Sequence, residues 1–383
     1  MIENSTTQKK VCHVTSVHPR YDVRIFHKEC KSLTNNGFDI TLLVNDNLPD
    51  ESIDGVKIVS TQMKPKNRYE RMIKSKKKIK KLMLEIDADL YHFHDPELLP
   101  EADWIKNKGK KVIFDFHEDV SQQILFKEWI PQKIRKIISF AYKIYEKNKV
   151  KNFDAIITVT SKFVERLKQI NPNTIMVTNY PIVKKENGNS DDTPKKKAIC
   201  FAGNISEQWN HEIIIKAIES IEDVEYILAG SSSQEYIDKL KKLDGWSKVK
   251  YLGRIPHEEV ITIYNESMIG MTLLSYNTQV GDEGTLGNTK IFEFMEAGLP
   301  VICSKNKIWK DIVENNKCGI PIDPENITEI ISAITKIITN PKLASEMGVN
   351  GKKAVCNEFN WETQEKALLD LYKSMETFNR RDN

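Results

Sequence analysis

The sequence predicts an α/β protein made of two doubly wound, Rossmann-like domains facing across a cleft. Three observations lead there. The chain has 383 residues, more than one hydrophobic core usually serves. Short apolar runs alternate with amphipathic helical stretches in both halves, the order that builds parallel sheets covered by helices. Between the halves, VKKENGNSDDTPKKK, from Val183 to Lys197, loses all apolar periodicity and reads as a linker. Residues 1–182 are therefore expected to form the first domain, 183–197 the linker and 198–358 the second domain.

Composition sets the class. Hydrophobic residues make up 40% and charged residues 29%, the balance of a globular protein with ample core. No stretch approaches the roughly 20 consecutive apolar residues of a membrane span. MIENSTTQKK, at the start, has no apolar signal core, so a cytoplasmic location is expected. Six cysteines stand singly without C-x-x-C spacing, as reduced core thiols do. A formal net charge of +3 is too small to argue for nucleic acid. The charge is unevenly spread, however. The run from Lys64 to Lys81 is densely basic, and the stretch from Lys133 to Lys151 mixes lysines with Ile134, Ile137, Ile138, Phe140, Ile144 and Tyr145. Either these are solvated helix faces, or they rest on anionic lipid at the inner face of the cell membrane.

In the first half, KVCHVTSV, from Lys10, reads as a buried strand, followed by a loop, a helix stopped at Gly37 and a second strand. The loop from His18 to Arg24 falls at the carboxyl end of the first strand, where open α/β sheets place ligands. The strand LYHFH ends at His94 and Asp95, with Pro96 opening the next helix. The strand KKVIFDFHED ends at His117, Glu118 and Asp119. Three strand ends thus deliver polar, titratable side chains to one edge. His92, His94, Asp95 and His117 are metal-ligand types. Strand residues alternate between faces, though, and there is no close helical His pair, so neither metal nor cofactor is expected. FDAIITVTSKFVERL adds a strand and a helix capped at Thr160 or Ser161, and TIMVTNYP a last strand.

The second half repeats the scheme. KAICFAGNISEQWNHEIIIKAIES gives strand, glycine turn and helix, and VEYILAGSSS a strand ending at Gly230. VKYLGRIPHEEVITIYNESMIGMTLL gives strand, loop, helix and strand. In the stretch that opens at Gly281, Ile291, Phe292, Phe294 and Met295 mark a helix from Lys290 to Ala297, with Lys290, Glu293 and Glu296 on one face. Gly298 and Pro300 stop it, and Val301 to Cys303 begins a strand. A Gly/Asn loop feeding a helix with a lysine in its first turn brings free N–H groups, a helix dipole and a cation together. That suits a phosphorylated ligand, although such helices also occur without one.

KIFEFMEAGLPVI followed by GIPIDPEN resembles the nucleotide-sugar site of bacterial retaining GT-B glycosyltransferases of family four, and VTSVHPRYDVRIFHKECKSL resembles the opening of a bacterial subgroup of them. The resemblance implies the GT-B fold, whose last helix, here within 359–383 with Trp361 near its start, crosses back to the first domain. It also implies an enzyme that moves a sugar from a nucleotide-diphosphate sugar, expected to be a UDP-sugar, to a hydroxyl of a capsule- or O-antigen-type polysaccharide or a lipid-linked precursor. Retention of configuration and no metal come with it.

The donor set that the resemblance implies is Gly203, Asn204, Arg254, Thr285, Asn288, Lys290 and Glu293. Glu293 matches the family's ribose-binding Glu, whereas the family's sugar-contacting Glu is replaced by Thr285. The family's phosphate-gripping Arg and Lys are Asn204 and Asn210 here. Arg254, in a segment resembling the base-reading loop, faces either phosphate or solvent. His117, Lys290 and Glu293 are the catalytic candidates, with capping of the next helix as the other reading of His117. His18, Arg20, Asp22, His94 and Asp95 are the acceptor candidates. Two other functions share these features: a nucleotide-sugar 2-epimerase, and a non-catalytic subunit that binds a nucleotide sugar or supports a partner transferase.

Overall fold

The computed structural model describes residues 8–117, 119–127, 129–183, 195–276 and 283–378. Most of the expected linker and the Gly281 start of the second-half loop lie outside them. The chain divides into two compact units, residues 1–179 with 362–383, and residues 180–361.

The first unit is built on eight strands: β1 (Lys10–Val14), β2 (Asp39–Val44), β3 (Glu51–Ile53), β4 (Val56–Ser60), β5 (Leu90–Phe93), β6 (Lys111–Phe116), β7 (Ala155–Thr158) and β8 (Thr174–Met176). Their order is β3-β4-β2-β1-β5-β6-β7-β8. Every pairing is parallel except β3 with β4. Helices cover both faces of such a sheet, which is why the central strands read as continuous apolar runs. The β3–β4 hairpin was not expected from the apolar pattern. Its signal is the dipeptide Asp54-Gly55, whose φ values of 51° and 78° make the tight turn that suits a hairpin.

β1 is the switch point, with β2 on one side and β5 on the other. Chain direction around the sheet reverses there, so the carboxyl ends of β1 and β5 border an open crevice. The helix after β1 starts with wide turns over Val23–Cys30, where His27 N–H reaches back five residues to the Asp22 carbonyl, and continues as α-helix over Lys31–Asn35. Asp22 Oδ1 caps it, accepting from the N–H groups of Arg24 and Ile25.

The second unit carries six parallel strands: β9 (Ala198–Ala202), β10 (Glu225–Ala229), β11 (Val249–Gly253), β12 (Ile269–Thr272), β13 (Val301–Ser304) and β14 (Gly319–Ile322), in the order β11-β10-β9-β12-β13-β14. Its switch point lies between β9 and β12. Separate apolar clusters fill the two faces, one around Phe201, Ile215 and Leu228, the other around Phe292, Trp309 and Val313. Five of the six cysteines are buried and all six are free thiols.

The last helix, Trp361–Phe378, begins where Trp361 N–H bonds the Pro181 carbonyl, and from residue 362 onward it belongs to the first unit. There Tyr372 is fully buried, its ring edge-on to Phe38.

Candidate active site

The second-unit site starts from the helix Lys290–Glu296. Thr289, just before it, donates its hydroxyl to Glu293 Oε1 at 2.6 Å, while Tyr264 donates to Oε2 at 3.0 Å and Lys290 Nζ lies 3.2 Å from Oε2. Burial alone would raise the Glu293 pKa, but the Lys290 charge and the two hydroxyls outweigh it and hold the carboxylate below its ordinary value. The lysine stem crosses the glycine turn after β9: a Cβ placed on Gly203 would come within 2.7 Å of Lys290 Cε. Behind it, Gly230 sits at φ +139°, where an added Cβ would fall 1.6 Å from the Gly203 carbonyl oxygen. The glycine turn after β9 and the helix start therefore meet at the Lys290 ammonium group, with the end of β10 packed behind the turn.

The neighbouring candidates shape this place. Asn288 accepts the Lys290 N–H at 3.2 Å and donates to Thr272 Oγ1, at the end of β12, at 3.4 Å. The Lys290 amide that the sequence left free for phosphate is thus satisfied from within the loop. Thr285 Oγ1 accepts the Gly287 N–H, and its carbonyl accepts the Trp309 indole N–H at 2.7 Å, so this residue braces the loop. Asn210, in a left-handed conformation at φ 52°, ties its amide to the Leu273 carbonyl at 3.3 Å. Asn204 and Arg254 are exposed at the ends of β9 and β11 and take no part in the Glu293 cluster.

The first-unit site sits at the carboxyl ends of β1, β5 and β6. Asp95, 3% exposed, accepts at Oδ2 from the Thr15 hydroxyl at 2.8 Å and the Ser16 N–H at 2.6 Å, which fixes the loop carrying His18. His18 lies between Asp95 Oδ1, 3.4 Å from its Nε2, and Asp22 Oδ2, 3.3 Å from its Nδ1. Burial would lower the His18 pKa, yet the bond to Asp22 and the charge of Asp95 raise it overall. Asp22 is driven down to about 2, because the hydrogen bonds from His18 and two backbone N–H groups outweigh its burial. The His117 ring is 5.4 Å from that of His18, and its Nε2 is 3.2 Å from Asp115 Oδ2. With side chains 30%, 22% and 20% exposed, His18, Asp22 and His117 are the reachable members of this group.

Two acceptor candidates are placed elsewhere. Arg20 is 6% exposed; its guanidinium is held by Asp46 at 2.8 and 2.9 Å, by Glu51 and by the Pro49 carbonyl, so its charge is spent inside the fold. His94 is buried and does not open on the crevice.

His94 instead joins a polar core that the sequence reading missed. In β1, β5 and β6 the residues Cys12, Val14, Tyr91, Phe93, Phe114 and Phe116 all line one apolar cluster. The intervening His13, His92 and Asp115 are therefore on the other face, as is His94 two residues beyond His92. The expectation that alternation would scatter these side chains is reversed, since residues two apart share a face and the β1–β5 register sets His13 beside His92. Arg24 enters from the helix, with Nη2 2.7 Å from Asp115 Oδ2 and Nε 3.0 Å from Glu29 Oε1. Burial pushes the His13 pKa down to about 3 and takes His92 and His94 well below their ordinary value. It raises Glu29 despite Arg24, whereas in Asp115 the charges of Arg24 and His117 outweigh burial and lower it. Strand alternation in YHFH and FDFH was the signal that could have found this core; Tyr264, Thr289 and Tyr372 had none.

Residues 23–182 match the family Glycosyltransferase Family 4, and residues 183–354 match Glycosyl transferases group 1. The chain belongs to the GT-B glycosyltransferases of the family-four type. Protein CapJ of Staphylococcus aureus is 23% identical over 63% of this chain and 62% of its own. For other curated relatives the match takes in about half of their length. Among solved structures, sucrose-phosphate synthase from Thermosynechococcus elongatus superposes with a TM-score of 0.76 at 17% identity, covering 97% of this chain and 100% of that one. HepE of Anabaena, in complex with UDP and glucose, gives 0.70 at 14% identity over 96% and 100%. For this glycosyltransferase the likeness to those structures bears on the fold.

Proposed function

We propose that this glycosyltransferase takes its sugar from a UDP-sugar and passes it, with retention and without a metal at the reacting centre, to a hydroxyl of a surface polysaccharide or its lipid-linked precursor. The observation that carries the reading is the Lys290–Glu293 pair laid across the Gly203 turn at the switch point of the second sheet. In that role Lys290 offsets negative charge that builds on the diphosphate as the glycosidic bond breaks, a contact worth most at the transition state. Glu293, kept ionised and fixed by three donors, accepts hydrogen bonds from ribose hydroxyls. The same-fold protein HepE, solved with UDP and glucose, supports uridine as the base. Asn204 and Asn210 add no charge, so Lys290 carries an unusual share, with exposed Arg254 as the other cation of the donor set.

His18 and His117 are the first-unit groups assigned to acceptor and sugar. A membrane-borne acceptor is supported by the helix Gln132–Val150, whose apolar residues face outward: Ile137 and Phe140 are each 66% exposed, and Trp129, just before the helix, is 71% exposed. Lys133, Lys136 and Lys147 are exposed among them. An apolar stripe flanked by lysines fits an anionic lipid surface. The stretch from Lys64 to Lys81 supports it less, because Lys74, Lys76 and Lys81 pair with Glu70, Glu101 and Glu85.

The test is a thermal-shift screen with UDP, GDP, ADP, dTDP and their common sugars. A ligand bound only by the folded state raises the midpoint. A rise with UDP and one UDP-sugar, lost in Glu293→Ala, is expected. No rise with any nucleotide would favour the support-subunit reading, which the two asparagines in place of basic residues otherwise keep in play.

A further inference from the structure

The buried face of the first sheet holds a group of ligand atoms that sugar transfer does not use. His13 and His92 are register partners on β1 and β5, His94 follows on the same face, and the wide turn over Val23–Cys30 brings in Glu29. All four side chains are 0% exposed. Glu29 Oε2 stands 3.9 Å from His13 Nδ1, 4.0 Å from His92 Nδ1 and 3.9 Å from His94 Nε2, and the nitrogens of His13 and His94 are 2.9 Å apart. A tetrahedral ion with bonds of about 2.0–2.2 Å needs edges of about 3.3–3.6 Å. The observed separations straddle that range.

The group is also incomplete as a hydrogen-bonded network. Among the described residues, neither Glu29 oxygen has a well-formed hydrogen bond beyond the ion pair of Oε1 with Arg24, nor does His94 Nδ1 have one. Such atoms are costly to bury unmatched. Two fully buried carboxylates, Glu29 and Asp115, share the single guanidinium of Arg24, so Glu29 is left to be neutralised by a proton or by a cation. Three imidazole nitrogens converging on the same oxygen favour the cation.

We propose that His13 Nδ1, His92 Nδ1, His94 Nε2 and Glu29 Oε2 hold one divalent metal ion of the zinc type in a closed structural site. Three nitrogens and one carboxylate oxygen suit zinc, and four protein ligands leave no open position for substrate. One outer partner is in place, the Tyr372 hydroxyl 3.3 Å from His13 Nε2, while Asp115 Oδ2, 3.8 Å from His94 Nδ1, would have to move closer to become a second. On binding, His92 Nδ1 exchanges its 2.8 Å contact with the Tyr372 hydroxyl for the metal, and Tyr372 accepts from His13 Nε2–H. The ion would clamp β1, β5 and the first helix together within the first unit.

Metal content of the full chain, expressed with zinc in excess and dialysed against a chelator, tests this. One zinc per folded chain is expected, and cobalt-grown protein should show the intense visible bands of four-coordinate cobalt. Glu29→Gln and His92→Gln should each lose the ion, and His117→Ala should keep it. If the variants fail to fold, the cobalt spectrum of the unaltered chain still decides. A folded chain that carries no metal, a weak six-coordinate spectrum, or an ion retained in both ligand variants overturns the proposal. Loss in His117→Ala would move the ion to His94, Asp115 and His117, and would overturn this ligand set.

Discussion

The two candidate sites use charge in opposite ways. Around Arg24 in the first unit, a guanidinium, two carboxylates and three histidines are all sealed from solvent. Around Lys290 in the second unit, one lysine and one glutamate sit at the surface, 20% and 23% exposed, with two hydroxyls for support. A sealed set of charges is costly to disturb and holds geometry. A sparse, half-open pair leaves its field available to a ligand. The comparison teaches that the densest set of titratable groups is the one sealed inside the fold, and that the site proposed for the donor is the emptier one.

Four variants sharpen the contrast, in falling order of expected effect. Arg24→Ala should strand Asp115 and lower stability by about 3–5 kcal/mol, as breaking one side of a buried ion pair does; urea unfolding measures it, and a loss below about 1 kcal/mol would show that the core is not sealed. Lys290→Ala should cut turnover by about 10²–10³-fold, the usual effect of removing a group that stabilises transition-state charge, with the melting midpoint nearly unchanged. Near-normal turnover in that variant would break the assignment of the second-unit site. Ile137→Glu with Phe140→Glu should abolish co-sedimentation with anionic vesicles at low salt and leave stability intact, since neither side chain is covered; equal sedimentation of both proteins would remove the lipid reading.

The smallest effect concerns the border between the regimes. Asp22 is held at about 2 against an ordinary value of 3.8, so its share of stability is present above the ordinary value and is lost as pH falls through the lower one. Allowing for partial exposure, Asp22→Asn should remove on the order of 1 kcal/mol of acid-dependent stability between those two values. An acid limb unchanged by the substitution would mean that His18 and the capped amides do not hold the carboxylate.

Much of the fold was legible, because parallel strands buried on both faces must be apolar and helices between them must be amphipathic. The segments from Lys10, Leu90, Lys111, Lys197 and Val301 were each readable on that ground. The β3–β4 hairpin was not, because three half-exposed residues carry no apolar period. At the sites, Lys290, Glu293 and Gly203 are neighbours in the fold. The place of Arg20 was not legible, since a loop arginine looks the same whether it faces solvent or Asp46 and Glu51. The histidine core escaped because each imidazole was weighed alone within its strand, while its meaning lies in the register between strands.

Tyr372 has one more consequence. It is supplied by the final helix, yet it fills the first unit beside His92, 280 positions earlier. A ribosome that has finished the first 179 residues has therefore made a sheet whose innermost polar face still lacks a wall. The contacts of Tyr372 with His92 and His13 can form only after the residues of the second unit have been synthesised. The first unit is thus completed from two stretches of sequence that the whole of the second unit separates.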